Sequence, residues 1–206
     1  MPLILLGGTF DPPHIGHLVL GECARVQFGA GRVFFIPAGD PWRKTASAPA
    51  PLGAAPPEHR DVTPVEHRVA MTRLAVASNP AFVVDEREVR RGGPSYTVDT
   101  LEELRAEGHR DLVLVLGADA LADLPNWREP ERIIQLATLA VAPKPGSPPP
   151  VGPVPPHITI DMPPLAVSST VLRERVAAGK PIRYLVPEEV ERYIHEHGLY
   201  RRVDRA

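Results

Sequence analysis

Apolar runs of strand length that alternate with helix-length amphipathic stretches predict an α/β protein. The expected architecture is a doubly wound, mostly parallel sheet with helices on both faces, closed by a small C-terminal helical extension. Three observations carry this. Residues 3–6 form an apolar run that stops at Gly7-Gly8, and residues 112–116 form a second one that stops at Gly117. Each is followed at once by a stretch of helical spacing. In such sheets ligands bind beyond the carboxyl ends of the strands, where the strand order reverses, so the residues after the first and fourth strands are the places to search.

The elements follow in order. After the first strand, residues 15–28 divide Leu18, Val19, Glu22 and Val26 into apolar and polar faces and predict a helix. Residues 33–36 read as a second strand, closed by Pro37. Thr63-Pro64-Val65-Glu66 has the pattern of a capping box with proline at the first helical position, and the helix it opens continues to Ala77. Residues 82–85 read as a third strand, 98–107 as a helix ended by Gly108, and 112–116 as the fourth strand. Two short helices (118–124, 130–136), two strands (139–142, 158–160) and two terminal helices (169–178, 187–197) complete the chain. The basic run 87–91 alternates with Glu86 and Glu88 and reads as a solvated face. The proline-rich stretches 47–57 and 145–156 read as surface loops.

Composition narrows the function classes. A chain of 206 residues suits one domain, 1–206, in which 165–206 form the helical part. The net charge of −2 offers no electrostatic case for nucleic acid or a membrane surface as partner. The single cysteine, Cys23, excludes an intrachain disulfide and a multi-cysteine zinc site, and reads as a small apolar residue on a helix. No apolar stretch reaches the roughly 18 residues of a membrane span, and the opening lacks a basic leader, so a cytoplasmic protein is expected.

Chemistry concentrates after the first strand, in Gly7-Gly8-Thr9-Phe10-Asp11-Pro12-Pro13-His14-Ile15-Gly16-His17. Glycines let the backbone approach an anion, and a helix N-terminus presents unpaired N–H groups to it. His14 and His17, three apart, project from one helix face and suit the charge that develops on a transferring phosphoryl group. The blander reading is a pair of helix-capping histidines. A zinc site fits poorly, because zinc-binding helices favour histidines four apart. Val167-Ser168-Ser169-Thr170-Val171-Leu172-Arg173 opens a later helix with a serine cap, hydroxyls and an arginine fork, an arrangement that serves either as a phosphate grip or as an ordinary capped helix. The chain has neither a P-loop nor a Gly-x-Gly-x-x-Gly run.

The run Gly8-Thr9-Phe10-Asp11-Pro12-x-His14-x-Gly16-His17 resembles the signature of the nucleotidyltransferase superfamily with the His-x-Gly-His motif. That resemblance implies a Rossmann-like fold and transfer of a nucleotidyl group with loss of pyrophosphate. Residues 168–173 resemble the family's Ser-Ser-Thr-x-x-Arg element, whose implied role is to grip the ATP phosphates. Pro94-Ser95-Tyr96-Thr97-Val98-Asp99-Thr100-Leu101 resembles a segment typical of bacterial nicotinate mononucleotide adenylyltransferases, where the backbone at the Tyr-Thr pair is implied to bind the pyridine carboxylate. Gly117-Ala118-Asp119 and Asn126-Trp127-Arg128 are similar to the same family's segments. They imply ribose contacts by Asp119 and stacking of Trp127 on the nicotinate ring.

The resemblance thus implies transfer of AMP from ATP to nicotinate mononucleotide in NAD biosynthesis. It implies catalytic roles for His14, His17 and Arg173. ATP would lie against Gly8, Thr9, Phe10, His14, His17, Gly117, Asp119, Ser168, Ser169, Thr170 and Arg173, and the mononucleotide against Thr9, Asp11, Lys44, Tyr96, Thr97 and Trp127. Mg2+ is expected to arrive with ATP rather than on a protein site, and homo-oligomer formation stays open. Two departures stand out. Pro41-Trp42-Arg43-Lys44 replaces the family's usual Pro-His-Lys, with Arg43 in the histidine's place, and Lys144 stands where an arginine is common. A phosphopantetheine adenylyltransferase or cytidylyltransferase is the nearest rival reading, and a regulatory module that binds nucleotide without turning it over is the rival of another class.

Overall fold

The central strands have no polar face to offer solvent, and this places them in the middle of the sheet. β1 (Leu3–Gly8) and β4 (Leu112–Gly117) are buried along 3–6 and 112–116. They lie side by side, with Leu3 opposite Leu112 and Leu6 opposite Val115. The computed structural model describes residues 1–45, 62–143 and 154–201. In it β2 (Arg32–Pro37) and β3 (Phe82–Val84) extend the sheet on one side, and β5 (Thr138–Ala142) and β6 (Ile158–Thr159) on the other. The order is β3-β2-β1-β4-β5-β6 and every pairing is parallel. The sheet is therefore wholly parallel, and its winding reverses between β1 and β4, where a crevice opens beyond the strand ends.

Alternation along β1 sends its side chains to two cores. Leu3 and Leu5 join Leu101, Leu104, Leu121 and Ile133 on one face, beneath α4 (Thr97–Ala106), α5 (Ala118–Asp123) and α6 (Pro130–Leu136). Ile4 and Leu6 join Leu20, Ala24, Phe35 and Val76 on the other, beneath α1 (Ile15–Gln27) and the end of α2 (Val65–Val76). Cys23 is half-buried against this second core, as a small apolar residue would be. The terminal helices α7 (Ser169–Ala177) and α8 (Glu188–Glu196) pack on α2 through a third cluster containing Met71, Ala75, Leu172, Val190 and Ile194. No helix of the described residues is long and apolar enough to cross a membrane.

Two local expectations need correction. The capping box at Thr63 and Glu66 does not form. Pro64 is the N-cap residue of α2 and no side chain caps it. Thr63 is drawn elsewhere, its N–H directed at Asp11 and its carbonyl accepting a bond from Arg68. The run 87–91 is a short helix, α3 (Arg87–Arg91), and not a solvated face. The Arg87 side chain is 10% exposed, bonded to Asp85 at 2.6 Å and to Glu107 at 3.0 Å, while Glu88 is buried. Carboxylates on β3's exit and on α4 match the arginine charges, so this helix packs inward. Residues 47–57, Lys144 and most of 145–156 fall outside the described residues.

Candidate active site

The loop between β1 and α1 is organised by its own side chains. Phe10 adopts φ 50°, a left-handed backbone that costs a bulky residue about 1 kcal/mol or more. Burial of its ring against Phe35 and edge-on to His17 offsets that cost. Phe10 can thus offer a nucleotide only its main chain. His14 is the N-cap residue of α1, and its N–H donates to His17 Nδ1 at 3.2 Å. The two imidazoles stack, with centroids 3.7 Å apart. Gly16 between them sits in a tight space, since a Cβ would lie 3.0 Å from both the His14 ring and the Val167 side chain and would have to displace them.

Burial lowers the His14 pKa from 6.5 to about 4. His17 is driven well below the ordinary value by burial, with His14 and Lys44 adding repulsion. Both rings are therefore neutral near pH 7. Because His17 Nδ1 accepts the His14 amide, its proton sits on Nε2, and this leaves an N–H donor on the ring's far side. Lys44 Nζ donates to Thr9 Oγ1 at 2.7 Å, which puts a cation at the same loop.

The second motif is brought to the first. Ser168 caps α7 by accepting the Val171 N–H, and Ser169 Oγ donates to the Pro12 carbonyl at 2.8 Å. Arg173 Nη1 donates to the Asp11 carbonyl at 2.7 Å and Nη2 to Thr170 Oγ1 at 3.2 Å. Ser168 and Thr170 stay exposed at the helix start. Gly117 and Asp119 lie at the end of β4 and the opening of α5. That strand runs beside β1, the last paired residues being Leu6 and Val115.

A third group of segments meets beside these. Gly39 N–H donates to Ser95 Oγ at 2.9 Å and Ser95 N–H to the Asp40 carbonyl at 3.0 Å, tying the strap 38–45 to the start of α4. Tyr96 is the N-cap residue of α4 and Thr97 its first residue, so first-turn amides are presented there. The Trp42 and Tyr96 rings are 5.4 Å apart, Arg43 lies over Trp42, and Arg128 lies over Tyr96 at 4.8 Å. Arg43 pairs with Asp123, to which Trp127 Nε1 donates at 3.0 Å.

Asp11, like Phe10, turns its side chain away from the loop's open face. It is 1% exposed, with Oδ1 accepting the Tyr200 hydroxyl at 2.7 Å and Oδ2 facing the Thr63 N–H at 3.4 Å. Burial and the Asp11 carboxylate push the Tyr200 hydroxyl well above the usual phenol range.

Residues that sequence reasoning missed surround the site. Arg68 is buried and donates to the carbonyls of Thr63, Thr9, Ala38 and Gly39. Its signal was an arginine on the inward stripe of α2, in line with Thr72 and Ala75. Asp123, Glu88 and the contact of Tyr200 gave no such signal. A cleft of about 470 Å³ beside Arg105, Asp111 and Ile158 lies at the amino ends of β4 to β6, remote from these groups.

Known proteins resemble this chain in sequence and in fold. The cytidylyltransferase-like family matches residues 5–175, and the chain belongs to that family. A relative from Roseiflexus sp. strain RS-1 is 47% identical over 97% of this chain and 98% of its own. One from Streptomyces coelicolor is 43% identical over 95% and 99%. Both are described as probable nicotinate-nucleotide adenylyltransferases. Within its family this chain groups with those enzymes of NAD biosynthesis, which adenylylate nicotinate mononucleotide with ATP. The Plasmodium falciparum nicotinic acid mononucleotide adenylyltransferase, solved with NaAD, shares the fold at a TM-score of 0.72 and 16% identity, covering 97% of each chain. A Vibrio parahaemolyticus structure, described as a putative nicotinate-nucleotide adenylyltransferase, does so at 0.64 and 16%, covering 97% of this chain and 95% of its own.

Proposed function

We propose that the ATP phosphates lie between the β1–α1 loop and the start of α7, and that nicotinate mononucleotide lies between the strap 38–45, the start of α4 and Trp127. The observation that carries this is the clasp of Arg173 and Ser169 on the carbonyls of Asp11 and Pro12, which sets two phosphate-binding elements side by side. The mononucleotide phosphate attacks the α-phosphorus of ATP in line, and pyrophosphate leaves. That nucleophile is already charged, so no general base is needed, and neutral histidines suit the task as donors. His17 donates from Nε2 to the α-phosphate as charge gathers, and His14 orients the triphosphate. Arg173 and Lys44 neutralise phosphate oxygens. Gly8, Thr9, Phe10 and Gly117 contribute close backbone, Ser168, Ser169 and Thr170 line the phosphates, and Asp119 takes ribose hydroxyls. Amides at Tyr96-Thr97 receive the pyridine carboxylate, and Trp127 stacks on the ring. Asp11 acts through its carbonyl, its carboxylate being held by Tyr200.

Among the described residues no group of three His, Cys, Asp or Glu could hold a metal ion. Mg2+ is expected to arrive with ATP, whose phosphate oxygens are hard ligands for it. The test is pyrophosphate release from MgATP with nicotinate mononucleotide, nicotinamide mononucleotide or phosphopantetheine as acceptor. Preference for the nicotinate form supports the reading. Preference for the amide would overturn the account of the Tyr96-Thr97 pocket, and activity with phosphopantetheine alone would overturn the acceptor.

A further inference from the structure

We propose that Asp123 is a positioning residue for the acceptor: its carboxylate, anchored by Arg43 of the strap, holds the Trp127 indole by its N–H and fixes the plane in which the ring stands. The inference rests on the acceptor assignment made above. Asp123 ends α5 and leads into the 3-10 turn Leu124–Asn126, which Pro125 favours near its start. The turn closes with the Trp127 N–H on the Leu124 carbonyl at 2.9 Å. Asp123 and Trp127 thus stand four residues apart around one turn, and Asp123 Oδ2 accepts from the indole Nε1 at 3.0 Å. Asp123 Oδ1 accepts from Asn126 Nδ2 at 3.1 Å and from Arg43 Nη2, an ion pair that spans 80 residues. The Arg43 guanidinium also lies over the Trp42 ring, 5.3 Å from its centroid.

A ring that serves as a stacking platform needs a fixed plane, and packing alone does not give it one. Trp127 is partly buried against the core beneath α4, α5 and α6. Apolar packing is non-directional, whereas a hydrogen bond at the indole N–H, the ring's one polar edge, is directional and stops the ring from turning. A carboxylate suits the place because three donors converge on it, from Arg43, Asn126 and Trp127. Ionised, it accepts at both oxygens, while an amide would turn N–H groups toward one side of that cluster. Arg43 makes the anchor charge-assisted. The Arg43 and Asp123 side chains remain 31% and 28% exposed, so the pair adds little to global stability and its consequence is orientation. The strap that bears Arg43 is also tied to the β1–α1 loop, by Lys44 to Thr9 and by the Ala38 N–H to the Gly8 carbonyl. A change at Arg43 can therefore reach both substrates, and the decisive quantity is the coupling between Asp123 and Trp127.

The test uses the full chain in a Trp42→Phe background, where Trp127 is the one remaining tryptophan. Asp123→Ala should lower the fluorescence anisotropy of Trp127 in the absence of substrates. It should also raise KM for nicotinate mononucleotide about fivefold, the worth of one hydrogen bond, and leave Tm within about 2 °C. Trp127→Ala should raise the same KM, and adding Asp123→Ala to it should raise it no further, because the carboxylate acts through the indole. Arg43→Met should lower the anisotropy in the same sense, and it carries the comparison if Asp123→Ala does not fold. Parental anisotropy in either the Asp123 or the Arg43 variant overturns the proposal, as does an Asp123→Ala effect on KM that persists in full beside Trp127→Ala. A fall in Tm with the mononucleotide KM unchanged overturns it too. A raised KM in Trp127→Ala with parental KM and anisotropy in Asp123→Ala overturns the positioning alone. An unchanged KM in Trp127→Ala, with anisotropy lost in Asp123→Ala, overturns the acceptor assignment and leaves the hold on the ring standing.

Discussion

Arg68→Met removes a guanidinium that is 1% exposed and leaves its apolar stem in place. In the parent, Nε donates to Thr63 O at 2.9 Å, Nη1 to Thr9 O at 3.0 Å and Ala38 O at 2.6 Å, and Nη2 to Gly39 O at 2.9 Å. These oxygens come from the exit of β1, the strap after β2 and the lead into α2, so one side chain joins three segments. Each stranded carbonyl costs about 1 kcal/mol, and the Asp11 carboxylate also loses an attractive neighbour. Against this, the variant no longer buries a charge, a burden visible in the lowered Arg68 pKa. The balance is a loss of about 3–4 kcal/mol, within the range for breaking a buried charged network. With a urea dependence of about 2 kcal/mol per M, the unfolding midpoint by circular dichroism falls by about 1.5–2 M. Arg68→Lys should recover only part of this, because an ammonium lacks the planar fork that reaches all these carbonyls. A Met variant within about 0.3 M of the parent would refute the reasoning, as would a Lys variant equal to it.

His17→Ala should lower kcat by about 10²-fold with KM for both substrates little changed, as removal of a donor used in the transition state does; an unchanged kcat sinks that role. His14 binds its proton at about 4 when folded against 6.5 when exposed, so the unfolded chain holds more protons between those values. Its contribution of about 3 kcal/mol is therefore full above pH 6.5 and lost as the pH falls toward 4, and urea midpoints for His14→Gln should vary less steeply over that window. Tyr200→Phe removes the hydroxyl that holds Asp11, whose carbonyl carries Arg173. Stability should drop by about 1.5 kcal/mol and KM for ATP should rise, with KM for the mononucleotide constant; a change confined to the mononucleotide contradicts the clasp.

Much of this was legible because it is local. A strand's apolar run and a helix's 3.6 period are properties of neighbouring residues, and so were the motif at Gly8 to His17 and the serine cap of α7. The failures were also local patterns, overruled from a distance. Thr63 and Glu66 spell a capping box, yet Thr63 is occupied by Asp11 and Arg68. The run 87–91 alternates in charge like a solvated face, yet Asp85 and the glutamates of α4 balance its arginines and let Glu88 turn inward.

By itself, then, the sequence determined the order of strands and helices, the two cores of the sheet and the kinds of chemistry at each strand end. These depend on polarity and spacing that any reader of the chain can count. Only the tertiary structure decided that Ser169 and Arg173 close on carbonyls 157 and 162 residues away, that Arg68 binds the loops beneath them, and that Asp11 serves Tyr200 with its side chain and Arg173 with its carbonyl. The reason is physical. A buried polar group must find a partner wherever folding places one, and that partner is chosen by three-dimensional proximity, about which sequence separation is silent.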